Sequence, residues 1–118
     1  MDLDINDSQK IWEISLELYK KSTEYAIARK NVAENKHTLD IFLAIAMPEL
    51  RKLKSNLGYE TALIMLLEWA EKENNQTIKS AYEYYLKEQS RADGLDKILD
   101  ALKTQISLYQ SIVKVMPK

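Results

Sequence analysis

The feature that most constrains this chain is its lack of helix-breaking residues over two long stretches. Residues 7–47 contain neither glycine nor proline, and residues 76–116 contain only Gly94. In both stretches apolar residues recur at intervals of three and four, the spacing that forms one face of an α-helix. We therefore predict two long amphipathic helices, which together account for most of the 118 residues.

The first helix has a predicted start and one ambiguous segment. Asp7 and Ser8 offer an N-cap before the first apolar positions. The polar run at residues 35–38 forms either a tight turn or an exposed turn of one continuous helix. The apolar pattern continues in phase beyond it, at Leu39 and Phe42, which favours a continuous helix.

Pro48 and Gly58 mark the expected end of the first helical region. Pro48 has no backbone N–H, so it predicts either a kink just before it or the first position of a new helix. Leu50, Leu53 and Leu57 carry the apolar face onward. Gly58 is predicted to end the helix in a left-handed conformation, as glycine often does directly after a helix.

A third, short helix is predicted from Tyr59 or Thr61 to about Lys72. Its apolar residues lie on more than one side, so we expect it to be the most buried element, with Trp69 in the core. The polar residues 74–76 predict a turn before the last helix.

The last helix has the most regular apolar pattern of the chain. From Ala92 onward the spacing alternates between three and four, as in a coiled coil, and extends further than one small bundle requires. We therefore predict a homo-oligomer that associates through this face. The predicted seam consists of Leu95, Leu99, Leu102, Ile106, Tyr109 and Val113. Asp93 and Gly94 predict a bend or a short break, and Pro117 predicts the end of the helix.

These elements predict an all-α fold with one domain over residues 1–118. Two long amphipathic helices pack antiparallel around the short apolar helix, as in a helical bundle or coiled coil. The absence of cysteine excludes disulfides and thiolate sites and is typical of a reducing compartment. The N-terminus lacks the apolar region of a secretory signal, and the apolar runs are too short to span a bilayer, so we expect a cytoplasmic protein without a membrane partner.

The sequence contains no recognisable catalytic or metal-binding pattern. His37 is the only histidine, and zinc sites usually need three or four protein ligands. The serines have no adjacent base in a known arrangement, and no glycine-rich loop is present to bind phosphate. We therefore expect no enzymatic activity, no cofactor, no metal and no small-molecule substrate.

Charge is unevenly distributed, although the formal net charge is only −1. Residues 1–19 carry five acidic residues and one lysine, whereas residues 20–58 carry eight basic and four acidic residues. Basic side chains beside tyrosines can hold single-stranded nucleic acid through phosphate contacts and base stacking. The candidate residues are Arg29, Lys30, Lys36, Arg51, Lys52, Lys54, Tyr84 and Tyr85. The alternative is a solvated charged face, with tyrosines that pack a helix interface.

The order of these segments resembles a known group of proteins. A long first helix contains Tyr19 and Tyr25, a short central segment covers residues 57–62, and Tyr84 and Tyr85 lie in the last long helix. In this pattern the chain is similar to the small all-helical proteins of phage recombination modules, the UvsY-like recombination mediators. The resemblance implies a non-enzymatic oligomer, in the host cytoplasm, that binds single-stranded DNA and helps to load a recombinase.

Two functional hypotheses follow from the sequence. The first is a homo-oligomeric accessory protein of DNA recombination or replication that contacts single-stranded DNA and a recombinase. The second is a protein-binding helical module, such as an inhibitor, an adaptor or an immunity-type bundle, with no role in nucleic-acid binding.

Overall fold

Three α-helices make up the structure, a computed structural model that describes the backbone of residues 5–115 and the side chains of residues 8–112. Helix α1 spans Ile5–Leu53, α2 spans Tyr59–Glu73 and α3 spans Gln76–Val115. No strand occurs among residues 5–115. The predicted all-α class, with two long helices and one short helix, is confirmed. The predicted end at Pro117 lies outside the described residues.

Helix α1 is continuous through the polar run at residues 35–38. The side chains of this run form hydrogen bonds to the helix itself. Asn35 Nδ2 donates to the carbonyl oxygen of Asn31 at 2.7 Å, and Thr38 Oγ1 donates to that of Glu34 at 3.1 Å. Because these side chains form their hydrogen bonds with carbonyl oxygens of the same helix, the polar run does not require the chain to turn. Of the two alternatives, the continuous helix is correct.

Both ends of α1 differ from the prediction. The helix already includes Ile5, so a start capped by Asp7 or Ser8 is wrong. Pro48 lies inside α1, so it does not begin a new helix. Gly58 does not follow the end of α1 in a left-handed conformation. It is the N-cap of α2, with φ −80° and ψ 165°, and its carbonyl oxygen accepts a hydrogen bond from the Ala62 N–H at 3.0 Å.

The predicted turn between α2 and α3 is confirmed at Asn74 and Asn75, whereas Gln76, the third residue predicted for it, already belongs to α3. Asn74 is left-handed, with φ 53° and ψ 44°, a conformation that asparagine tolerates at the end of a helix. The Asn75 N–H donates to the Ala70 carbonyl oxygen at 2.8 Å and so closes α2. Asn75 Oδ1 accepts a hydrogen bond from the Ile78 N–H at 3.2 Å and so caps α3.

Helix α3 runs through Asp93 and Gly94 without interruption, so the predicted break at this pair is wrong. Gly94 is exposed, and a Cβ atom added there would have no neighbour within 4 Å. One glycine costs about 1 kcal/mol of helix propensity. That cost is too small to interrupt a helix whose buried residues on either side, Ala92 and Leu95, hold it in place.

One compact unit consists of Arg29–Gln89 and contains the larger core. The end of α1, the whole of α2 and the start of α3 meet here around one apolar cluster. Its buried members are Leu39, Leu43, Leu50, Ala62, Leu66, Ala70, Ile78 and Ala81. The two long helices therefore pack around the short one in this unit, as predicted.

A second compact unit consists of Met1–Ala28 and Ser90–Lys118. In its described part, Ala28 of α1 and Ala92 of α3 are almost fully buried together with Leu95, and Tyr25 packs against them. Small residues on both helices allow close approach of the two backbones. The organisation of residues 1–118 as a single domain stays a prediction.

None of the described helices is both long and apolar enough to cross a membrane.

Candidate functional site

An open apolar groove with a volume of about 720 Å³ lies in the unit 29–89. The last turns of α1 form one wall, α2 forms the other, and the start of α3 closes it at Ile78. Groove volumes of this size are typical of sites that bind a ligand or a partner's side chains. We refer to this surface as the α1–α2 groove.

Apolar side chains line most of the α1–α2 groove, and several are far more exposed than core residues. Ile45 is 71% exposed, Leu53 is 77% exposed and Trp69 is 48% exposed. Leu50 and Leu66 lie deeper and belong to the core cluster. The groove is therefore a continuation of the core that remains open to solvent.

Trp69 is not a core residue, so its predicted burial is wrong. The residues of α2 that face the core are Ala62, Leu66 and Ala70, which recur every four residues. Trp69 precedes Ala70 by one position, and one position rotates a side chain by about 100° around a helix. The prediction of α2 as the most buried element also fails at Ile64, which is 56% exposed. Two alanines and Leu66 therefore form the core-facing side of α2, while Ile64 and Trp69 lie on its other sides.

Charged side chains lie at the rim of the α1–α2 groove. Glu49 pairs with Lys52 at 3.0 Å, and both are mostly exposed. Glu68 and Lys72, one turn apart on α2, also line the groove. Among the described residues, neither Glu68 nor Lys72 takes part in an ion pair. The rim therefore presents one free charge of each sign beside an apolar floor.

A hydrogen bond links Tyr59, the first residue of α2, to α1. The Tyr59 hydroxyl donates to Asp40 Oδ1 at 2.8 Å. Partial burial and the hydrogen bond to the negatively charged Asp40 raise the pKa of Tyr59 from 10.0 to about 12. Neither residue lines the α1–α2 groove, and the contact holds the N-terminus of α2 against α1.

The predicted nucleic-acid residues all lie in the unit 29–89, and they differ in availability. Lys30 pairs with Glu34 at 3.8 Å and Lys52 pairs with Glu49. The remaining basic candidates are exposed and take part in no ion pair among the described residues: Arg29, Lys36, Arg51 and Lys54. They are dispersed, since Arg29 and Arg51 are about 33 Å apart along α1 at 1.5 Å per residue.

The two tyrosine candidates have different surroundings. Tyr84 is 43% exposed, at a shallow depression that Asn35 also lines. Tyr85 packs against the core cluster. Only Tyr84 therefore presents much of its ring to a base.

The predicted oligomer seam is largely occupied within the chain. Leu95 and Leu99 are buried, and Leu102, Ile106 and Tyr109 are half-buried. The side chain of the sixth member, Val113, lies outside the described residues. Since Leu95 packs with Ala28 of α1, part of the 3–4 pattern serves the chain's own core. An oligomer contact through this seam stays a prediction.

Among the described residues, no group of three or more histidine, cysteine or acidic side chains is placed to hold a metal ion. His37 is exposed on α1.

Sequence reasoning missed the α1–α2 groove, although a signal for it was present. The seven consecutive apolar residues 41–47 cover about two turns of α1, so they place apolar side chains on more sides of the helix than one neighbouring helix can cover. Such a wide apolar surface indicates a helix that needs a second partner.

No protein-family model matches the chain, and neither a curated protein nor a solved structure matches it.

Proposed function

We propose that this protein is a non-enzymatic protein-binding helical module, and that the α1–α2 groove receives an amphipathic helix of a partner protein. The observation that carries the proposal is the exposure of Ile45, Leu53 and Trp69 around one apolar concavity. A groove between two helices is a common receptor for the apolar face of a third.

The physical basis is the area that a partner would cover. Large exposed apolar patches are uncommon on proteins that bind nothing, because each apolar Å² removed from water contributes about 25 cal/mol. Aromatic residues such as Trp69 dominate the energetics of many interfaces because a rigid ring buries a large area at little entropic cost. The rim charges Glu68 and Lys72 would set the orientation of the bound helix.

The test uses a panel of synthetic amphipathic helices with leucine anchors at positions i, i+4 and i+7, each with a scrambled version of equal composition. Binding is measured by fluorescence polarisation of the labelled peptide. Ile45→Glu places a carboxylate in the groove and should abolish binding. The matched control is Ile41→Glu, one turn earlier on α1, because Ile41 is also exposed but does not line the groove.

The expected result is that at least one helix binds the wild-type protein and the Ile41→Glu variant but not Ile45→Glu. If every helix of the panel binds all three proteins equally, or none binds the wild type, the groove is not a receptor for helices and the proposal is wrong.

A second function, contact with single-stranded DNA, is favoured by the unpaired basic side chains on and after α1. Arg51 and Lys54 are exposed near the end of this helix, and Tyr84 offers a ring for stacking. In this proposal the protein is the accessory factor of recombination or replication that the resemblance implies, with a recombinase as protein partner and a cytoplasmic location. The recombinase would then be the source of the helix bound in the groove.

This second function is tested with labelled oligothymidine at two salt concentrations. Each phosphate contact to a single strand contributes a slope of about −0.7 in log affinity against log salt. Arg51→Glu with Lys54→Glu should therefore weaken binding and make the slope less negative by about 1.4, the loss of two contacts. The control pair Lys97→Glu and Lys103→Glu makes the same charge change on exposed residues of α3. Equal effects of the two pairs, or no binding by the wild type at low salt, would exclude this function.

A further inference from the structure

A second exposed apolar surface lies near the start of α1, in the unit formed by residues 1–28 and 90–118. Trp12 is 64% exposed, Leu16 is 44% exposed and Tyr19 is 74% exposed. Their positions follow the i, i+4, i+7 spacing, so the three side chains lie along one face of the helix. We refer to this surface as the Trp12 face.

The Trp12 face has the pattern that helix-in-groove complexes use. Such helices anchor through apolar residues at i, i+3 or i+4, and i+7. The anchors from Trp12 to Tyr19 extend about 10 Å along α1, and the α1 wall of the groove, from Phe42 to Leu53, extends about 16 Å. The groove is therefore long enough to receive all three anchors.

The charges beside the Trp12 face can form ion pairs with those at the rim of the groove. Glu13 and Lys20 each follow an anchor residue by one position, so both lie on the same side of the face. In one orientation of the bound helix, Lys20 lies toward Glu68 and Glu13 lies toward Lys72. Among the described residues no ion pair involves any of these four side chains.

The charges of the groove itself are of both signs. Its charged lining residues are Glu49, Glu68 and Lys72, and Glu49 pairs with Lys52, so Glu68 and Lys72 are the two left for a partner. Because the groove and the Trp12 face each offer one unpaired charge of each sign, they can pair in one orientation of the bound helix.

We infer that the α1–α2 groove binds the Trp12 face of a second copy of this chain. This inference rests on the proposed function of the groove and names its partner. The contact joins two different surfaces of the chain. Two copies that pair reciprocally, each face in the other's groove, form a closed dimer, whereas one-way pairing leaves a free groove and a free face and produces a ring or an open chain. The contact differs from the predicted seam on α3, which is mostly occupied within the chain.

The inference is tested by complementation between two defective variants of the full chain. Ile45→Glu blocks the groove and leaves the Trp12 face intact. Trp12→Glu combined with Tyr19→Glu blocks the face and leaves the groove intact, and both residues are exposed enough for the variant to fold. Circular dichroism confirms folding, and sedimentation equilibrium measures mass at micromolar concentrations.

The wild type should increase in mass with concentration to that of a dimer or beyond, and each variant alone should be a monomer. An equimolar mixture of the two variants should form a dimer and nothing larger, because it contains one kind of intact groove and one kind of intact face. Ile41→Glu, at an exposed apolar residue that does not line the groove and lies about 33 Å along α1 from Tyr19, should associate as the wild type does.

A mixture that remains monomeric, a wild type that is monomeric at every concentration, or a blocked variant that associates like the wild type would overturn the inference. A peptide of residues 8–22 distinguishes this failure from that of the proposed function. If the synthetic amphipathic helices bind the groove but this peptide does not, the groove is a receptor for helices and only its assignment to a second copy is wrong.

Discussion

Gly94→Ala should stabilise the protein, and the structure gives the size of the effect. Gly94 lies inside α3 without a positive φ, so alanine can adopt its backbone conformation. The added Cβ would meet no atom within 4 Å, so no steric cost offsets the gain. Alanine is favoured over glycine inside a helix by about 1 kcal/mol, partly because it restricts the unfolded chain. For a chain of 118 residues that gain corresponds to a rise in Tm of about 3–5 °C.

The same substitution at Gly58 is a matched control with the opposite expected sign. A Cβ at Gly58 also has no neighbour within 4 Å, but Gly58 is the N-cap of α2, where alanine is disfavoured. Gly58→Ala should therefore lower the free energy of unfolding by roughly 0.5 kcal/mol. Urea denaturation followed by circular dichroism measures both variants. The reasoning is refuted if Gly94→Ala destabilises the protein, or if both variants change stability in the same direction.

Three further predictions concern the unit 29–89. The contribution of Tyr59 to the free energy of unfolding should be fully present below pH 10 and be lost as the pH rises from 10 to about 12, because partial burial and Asp40 raise the pKa of Tyr59 in the folded state. Tyr59→Phe should flatten this loss in urea titrations at alkaline pH. Leu66→Ala should lower the free energy of unfolding by about 2–5 kcal/mol, because Leu66 is only 2% exposed and its truncation leaves a cavity in the core. Leu53→Ala should lower it far less in the same denaturation assay, because Leu53 is 77% exposed. Pro48→Ala should raise Tm, because alanine restores an N–H inside the continuous α1; an unchanged or lower Tm would show that proline is accommodated there without cost.

The sequence was sufficient to predict the helices because their apolar spacing extends over many turns. Tyr59–Glu73 was located to within a residue or two, since Gly58 precedes it and the polar residues 74–76 follow it. Single residues were less informative. Gly94 and Pro48 are both retained inside helices, because the local cost of each is outweighed by packing along the remainder of the helix.

The candidate site was harder to predict, because apolar character does not reveal which side of a helix is covered. Trp69 is next to Ala70 in sequence, yet the alanine faces the core and the tryptophan faces the groove. Leu95 and Leu99 show the converse, since a pattern typical of an oligomer seam is buried within one chain. Only the positions of neighbouring helices distinguish these cases.

Methyl NMR shows whether the α1–α2 groove receives a helix. The Trp12→Glu, Tyr19→Glu variant keeps the protein from binding its own copies, and a synthetic amphipathic helix from the panel is titrated into it. The methyl signals of Ile45 and Leu53 and the indole signal of Trp69 should shift together and saturate, while the methyl signals of exposed apolar residues on α3 should remain unchanged. Shifts of the α3 signals with an unchanged Ile45 and Trp69 would contradict binding in the groove.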